Sequence, residues 1–385
     1  MEYFREVDLQ TLADATGGEY IPLTQISRRI TRAQVLLAGI PAPTTTETIN
    51  PEMGLARLQN VILKGAQPIP FSPAQSMYVV RRFSFRDYDP LSHASTWTQQ
   101  TDKGLAADLG EPVLHIKEPA FLLGMCNANF GHFVWEGLAK AYLLSRVLGH
   151  ERLKVLVPEN LPARFMFWFK AVGIDPDRLI PIPAYASTRV DTLFAGTVPF
   201  GRSARKDIIT HDESFHFFRR QVLYSQPAPA TRERYRLFLS RADAPARRCV
   251  NEIELFQVLE PHGFRYIVGT AMSQETQLAF VRNAEIIVAP FGAGTAICAF
   301  APEDCMIVET VPSVKTIFGI FNATISSLIL GQPFARIGGT RVVFPDNPAT
   351  TSVHWDYATD PKRMNDVLDA FSNRVQFENL PPSQS

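Results

Sequence analysis

The sequence predicts two α/β domains, the second built on a doubly wound parallel sheet and the first preceded by a strand-rich extension. Three observations lead there: the length, a change of rhythm near residue 129, and a regular alternation of strand and helix after residue 232. At 385 residues the chain is about two and a half times a typical single domain. With 46% apolar and 20% charged residues, its composition is that of a folded protein and not of a disordered or collagen-like chain. Lys plus Arg and Asp plus Glu both number 38, so no global positive field marks a nucleic-acid binder. No run approaches the roughly eighteen consecutive apolar residues of a transmembrane helix. The first residues, MEYFREVDLQTLADATGG, lack the basic start and apolar core of a secretory signal. Cys126, Cys249, Cys298 and Cys305 form neither a disulfide framework nor a C-x-x-C pair. Together these features predict a cytoplasmic chain with reduced thiols.

Residues 1–120 are rich in Pro, Thr and short apolar runs such as VILKG and MYVVRRF. They read as short strands with turns, with Pro41-Ala-Pro-Thr-Thr-Thr as a loop. From Asn129 to Leu148 the apolar spacing becomes helical. A strand-like LKVLVP follows, then a helix-like LPARFMFWFKAVG that Gly173 is placed to end. RLIPI and TLFAG read as strands, residues 211–224 as a helix, and Ser225-Gln-Pro-Ala-Pro-Ala-Thr as the linker. Beyond it, strands 235–240, 264–268, 285–290 and 305–309 alternate with helices 251–260 and 274–284. Short continuous apolar strands between helices of about ten residues are the pattern of βαβ units, which bind ligands at the carboxyl ends of their strands.

Chemistry-bearing residues gather at those ends. In Pro290-Phe291-Gly292-Ala293-Gly294-Thr295, two glycines let a ligand approach the backbone, and a helix N-terminus favours phosphate. A dinucleotide fingerprint needs a third glycine where Ile297 stands, and no G-K-[ST] follows, which disfavours NAD, FAD and a P-loop. The same turn also serves as a tight connection with no ligand. Arg241, Arg247 and Arg248 lie just past strand 235–240, where guanidinium forks suit phosphate oxygens. A solvated basic loop is the alternative. Asn251, three residues before Glu254, reads as an N-cap with a capping box. Glu309 ends a strand where a carboxylate accepts bonds from ribose or simply faces solvent. Gln277 lines the same region or occupies a polar helix face.

In the first domain His132, Glu136 and Lys140 recur every four residues and share one helix face. A His–Glu pair of this kind deprotonates a hydroxyl, Glu136 raising the basicity of His132. Ordinary pairs on a solvated face are the other account. Asp87-Tyr-Asp89 and Asp175-Pro-Asp177 arise readily by chance, and the second reads as a turn. His211 and His216 are five apart, the wrong spacing for two metal ligands on one helix face.

In order, these segments resemble glycosyltransferase family 61, which includes bacterial capsular-polysaccharide biosynthesis proteins. FLSRADAPARRCVNEIELFQVLEPHGF is similar to the family's strand, arginine pair, Asn-Glu and "L-x-x-x-G-F" run. MSQETQLAFVRNAEIIVAPFGAGTAICAFAPEDCMIVETVP is similar to its "Q-x-x-x-F-x-x-A", "G-A-G" and "F-A-P … E" series. Asn129-Phe-Gly-His132, with Glu136 and Lys140, resembles its "N-x-x-H" helix, and AVGIDPDRLIPI fits the usual spacer. The resemblance covers roughly residues 121–335. One position departs: the family usually has His directly before G-A-G, and this chain has Phe291.

The resemblance implies a GT-B fold, two Rossmann-like domains facing across a cleft. Residues 1–120 would decorate the first domain, 121–225 form it, and 232–345 hold a nucleotide sugar. Outside the resemblance, the tail, 346–385, is expected to send a helix back onto the first domain. The implied activity is inverting and metal-independent glycosyl transfer, with no cofactor beyond a nucleotide-sugar donor, UDP-sugar being favoured. The acceptor would be a glycan or lipid-linked glycan in bacterial surface polysaccharide assembly, at the inner face of the cell membrane. His132 or Glu136 would be the base, with Asn129 and Lys140 on the acceptor side. Arg241, Arg247, Arg248, Asn251, Gln277, Phe291, Gly292, Ala293, Gly294, Thr295 and Glu309 would bind the donor. Two alternatives stand beside this: a degenerate member that binds nucleotide or glycan as a partner subunit, and a differently folded transferase with a metal at Asp87 and Asp89.

Overall fold

The structure, a computed structural model, describes residues 1–25, 27–37, 40–65, 68–79, 98–102, 104–124, 129–202, 208–227, 233–312, 322–342 and 355–372. The chain divides into two compact units, one of residues 1–30 and 47–227, the other of 31–46 and 228–385. Residues 31–46, expected in the first domain, therefore belong to the second unit.

The first unit is a mixed sheet with helices. Its parallel part runs Leu179–Ile182, Lys154–Pro158, Ala120–Leu122, Ser187–Gly196, and Gly54–Lys64 continues it in antiparallel register. Leu58, Leu122, Leu156, Val190 and Leu193 of these strands lie in one buried core. The strands before residue 65 are longer than expected: Ser27–Leu37, Ile40–Asn50 and Gly54–Lys64 each have 11 residues. The segment read as a loop at Pro41 lies within the second of these. Pro41 and Pro43 are two apart and so fall on one side of the strand, which confines the missing N–H groups to one edge. Gly173 ends the helix Met166–Ala171 as expected, at φ +81°, with Ile174 N–H donating back to Phe169 O.

The second unit is a parallel sheet. Its strands are β1 (Ser27–Leu37, from Thr31 on), β2 (Tyr235–Ser240), β3 (Phe264–Val268), β4 (Ala284–Pro290), β5 (Met306–Val311) and β6 (Phe334–Gly338). Helices α1 (Glu252–Leu259), α2 (Gln274–Val281), α3 (Ala323–Leu330) and α4 (Pro361–Ser372) accompany them. The spatial order is β3-β2-β4-β5-β6-β1, every pair parallel. Phe238, Val288, Val308 and Ile337 of the sheet pack with Leu255 and Leu259 of α1 and with Met364, Val367 and Leu368 of α4. The tail helix thus covers the second unit and not the first, because its apolar stripe is spent on this core. No helix among the described residues is long and apolar enough to cross a membrane.

Candidate functional site

In the strand order of the second unit the chain winds outward in both directions from β2 and β4. The crevice between their carboxyl ends is where a doubly wound sheet receives a ligand. A cavity of about 70 Å³ lies there, bounded by Ser240 and Arg241 after β2, Gln277 of α2, Pro290 of β4, and Gly294 and Thr295.

The turn after β2 is fixed by a buried carboxylate. Glu252, 3% exposed, accepts from Ser240 Oγ at 2.6 Å, Tyr266 OH at 3.0 Å and the Arg241 backbone N–H at 2.8 Å. The Arg241 side chain then lies against the glycine loop and donates from Nη2 to Ala246 O at 3.1 Å. A Cβ added at Gly292 would fall 1.9 Å from Arg241 Nη1, so this position needs glycine for space. Its φ of 171° is ordinary extended backbone. Gly292 O is held in turn by Thr295 Oγ1 and Asn322 Nδ2, both at 2.8 Å. At Gly294 an added Cβ would meet nothing within 4 Å, so that residue faces open space. The short helix expected to follow is present as a 3-10 helix, Ala293–Phe300.

Arg247 stands at φ +60°, a conformation uncommon for a residue with a side chain. Its guanidinium carbon lies 5.4 Å from the centroid of the Phe291 ring. The Nε atoms of Arg241 and Arg247 are buried without a hydrogen-bond partner, and neither guanidinium forms an ion pair among the described residues. Burial lowers both pKa values from the usual arginine range, and the charge of Arg241 lowers that of Arg247 further. Two half-buried guanidinium groups, each with a buried Nε that has no partner, have the chemistry to receive an anion with two negative groups.

Other predicted donor residues have different work. Arg248 is tied to Asp356, with Nη2 at 2.6 Å, Nε at 3.0 Å and the backbone N–H at 2.8 Å; its charge is satisfied within the fold. Asn251 makes no side-chain cap bond. Its amide instead brackets Thr359, donating to Thr359 O at 2.8 Å and accepting from Thr359 N at 2.9 Å. These bonds stitch the arginine loop to residues 356–359, which the sequence gives no signal for. Glu309 lies inside β5, fully buried, with Arg336 on its carboxylate at 2.7 and 3.0 Å. The register pairs the two residues directly across β5 and β6, so Glu309 is not free at a strand end to meet ribose. Burial raises its pKa, against the pull of Arg336. Gln277 lines the cavity while donating to Gly269 O at 2.7 Å.

In the first unit, the run from Phe130 to Leu144 begins as α-helix, passes through a π turn at Phe133–Gly137 and ends in 3-10 and α turns. Such π turns are often found at functional sites. Asn129 is the N-cap, accepting from Gly131 N at 2.9 Å, which is a structural role. The predicted pair is present: His132 Nδ1 lies 2.7 Å from Glu136 Oε1, with the side chains 20% and 8% exposed. A carboxylate on Nδ1–H fixes the ring and leaves the lone pair on Nε2, the form a base requires. Lys140 is wholly buried, not on a solvated face. His211 caps the helix Asp212–Tyr224 through Nδ1, 3.1 Å from Ser214 N, and burial lowers its pKa to about 4. Asp175 caps a short turn through Asp177 N. Asp87 and Asp89 lie outside the described residues. Among those described, no three His, Cys, Asp or Glu side chains are grouped to hold a metal ion.

Residues 130–308 match the model of the family Glycosyltransferase 61. No curated protein matches the chain. Among solved structures it is similar to the dodecameric iron-containing heptosyltransferase TibC in complex with ADP-D-beta-D-heptose, at 12% identity and a TM-score of 0.34, over 88% of this chain and all of that one. The family match spans both the His132–Glu136 pair and the arginine and glycine loops, and it identifies the chain as a glycosyltransferase carrying the family 61 domain.

Proposed function

We propose that the chain moves a sugar from a nucleoside diphosphate-sugar to a hydroxyl of a glycan acceptor, with inversion and without a metal ion. One observation carries the donor side: two neighbouring guanidinium groups, each with a buried Nε lacking a partner, at the ligand-binding crevice of a doubly wound sheet. As the glycosidic bond breaks, negative charge grows on the departing diphosphate, and fixed cations in a desolvated site stabilise it. The cavity beside Arg241, walled by Leu239, Ile267 and Phe280, suits the less polar part of the nucleotide. His132, oriented by Glu136, takes the proton of the acceptor hydroxyl. That assignment rests on the chemistry of the pair and on the family resemblance of its helix. The same resemblance supports a GT-B arrangement, a UDP-sugar, and an acceptor of the surface-polysaccharide class, lipid-linked or free.

The experiment is calorimetric titration of the full chain with UDP, GDP, ADP and CMP, each with and without EDTA. Micromolar binding of one nucleoside diphosphate, indifferent to EDTA and far tighter than CMP, is expected. Tightest binding of CMP, or binding that requires a divalent ion, would overturn the proposal. Diphosphate binding with no turnover of any nucleotide sugar would move the chain to the class of non-catalytic partner subunits.

A further inference from the structure

Of the two guanidinium groups, Arg241 is well held: by Ala246 O, by the anchoring of its own backbone on Glu252, and by the space Gly292 leaves. Arg247 has no such holds. Its backbone is in the left-handed region, its Nε has no partner, and the like charge of Arg241 acts against it. What meets its guanidinium is the ring of Phe291, at 5.4 Å. That ring is itself immobilised, since Phe291 is 5% exposed and its N–H donates to Thr310 O of β5 at 2.8 Å. A cation over an aromatic face is attracted by the ring's quadrupole, the more so where water is excluded.

We infer that Phe291 is a positioning residue whose ring face holds Arg247 beside Arg241, so that both charges are in place before the ligand arrives. This rests on the diphosphate reading above. Phe291 acts through Arg247 and not by touching the reacting atoms. The consequence is a preference for two linked phosphates over one, because only a held pair of cations presents two charges at a fixed spacing.

The test uses inorganic pyrophosphate titrated into the full chain at fixed ionic strength, with thermal melting of every variant. Phe291→Leu keeps apolar bulk and loses the aromatic face, whereas Phe291→Tyr keeps both. The leucine variant is expected to bind pyrophosphate about tenfold more weakly with unchanged melting, and the tyrosine variant to bind as the parent chain does. Phe291→Leu combined with Arg247→Ala is expected to be no weaker than Arg247→Ala alone. Parent-like affinity in Phe291→Leu, or full additivity with Arg247→Ala, overturns the inference. Should the leucine variant melt early, Phe291→Met decides instead, since its flexible apolar chain fills the space without an aromatic face. Weakened binding there supports the inference, and unchanged binding overturns it. Arg241→Ala separates the two levels: if it leaves pyrophosphate affinity unchanged, the diphosphate site itself is lost. If it weakens binding while Phe291→Leu does not, only the role of the ring falls.

Discussion

Within one sheet the second unit buries arginines in two contrasting ways. Arg336 is closed by the carboxylate of Glu309, directly opposite on the next strand, and by Thr324 Oγ1 at 2.8 Å. Arg241 and Arg247, beyond the end of β2, have no carboxylate partner among the described residues and keep a buried Nε without a partner. A charge completed inside the fold contributes to holding strands together and has nothing left for a ligand. A charge left incomplete raises the free energy of the empty site, and an arriving anion removes that excess. Both arrangements look alike in sequence, as an Arg near a strand end. Only the partner distinguishes them.

The contrast yields opposite signatures on mutation. Arg336→Leu strands a buried carboxylate and is expected to lower unfolding stability by about 3–5 kcal/mol in urea titrations. Replacing Glu309 by Leu as well should recover much of that loss, and no recovery would mean the pair matters through packing alone. In the first unit, where the partner of a charge sets proton chemistry, His132→Ala is expected to reduce turnover about 10²- to 10⁴-fold. Pyrophosphate affinity should stay within about twofold of the parent, judged by the threshold for independent sites. Equal rates for variant and parent would place the base elsewhere. Arg241→Ala is expected to weaken pyrophosphate binding by about 1.5–3 kcal/mol, the range for a charge-assisted contact. Its stability should change little, because it removes a cation that no carboxylate among the described residues pairs. A fall in stability like that of Arg336→Leu would put Arg241 in the closed class. Arg248→Ala removes two side-chain bonds from Asp356, which is 2% exposed, so a stability loss of about 1–3 kcal/mol and unaltered pyrophosphate binding are expected. A clear loss of affinity would show that the Asp356 pair opens to admit ligand.

The strands and helices from residue 235 to 311 were legible because each is continuously apolar or helically spaced and bounded by turn residues. The observed bounds, such as Tyr235–Ser240 and Phe264–Val268, lie where the pattern put them. The His132–Glu136 pair was legible for the same reason, since a spacing of four along a helix survives the π turn between them. What could not be read depends on contacts distant in sequence. Nothing near Arg248 or Asn251 announces that Asp356 and Thr359, 108 residues on, will occupy them. Glu309 looked like a strand end until Arg336 was seen opposite. Glu252 was passed over because a first-turn acid is usually a response to the helix dipole, whereas here it anchors the turn that carries Arg241. The tail helix was assigned to the wrong unit because nothing in the sequence of residues 346–385 says which core it meets.

The strand Ser27–Leu37 has a consequence for how the chain is made. Val35, Leu36 and Leu37 pair with Phe334, Ala335 and Arg336, partners that leave the ribosome about 300 residues later. At about 5–20 residues per second, that strand waits roughly a quarter of a minute to a minute before its ladder can form. A fragment starting at residue 228 would lose the strand segments within residues 31–46 and leave the edge of Phe334–Gly338 without its neighbour, an invitation to self-association. Any truncation meant to isolate the arginine site must therefore bring residues 31–37 with it, spliced on or supplied as a separate peptide.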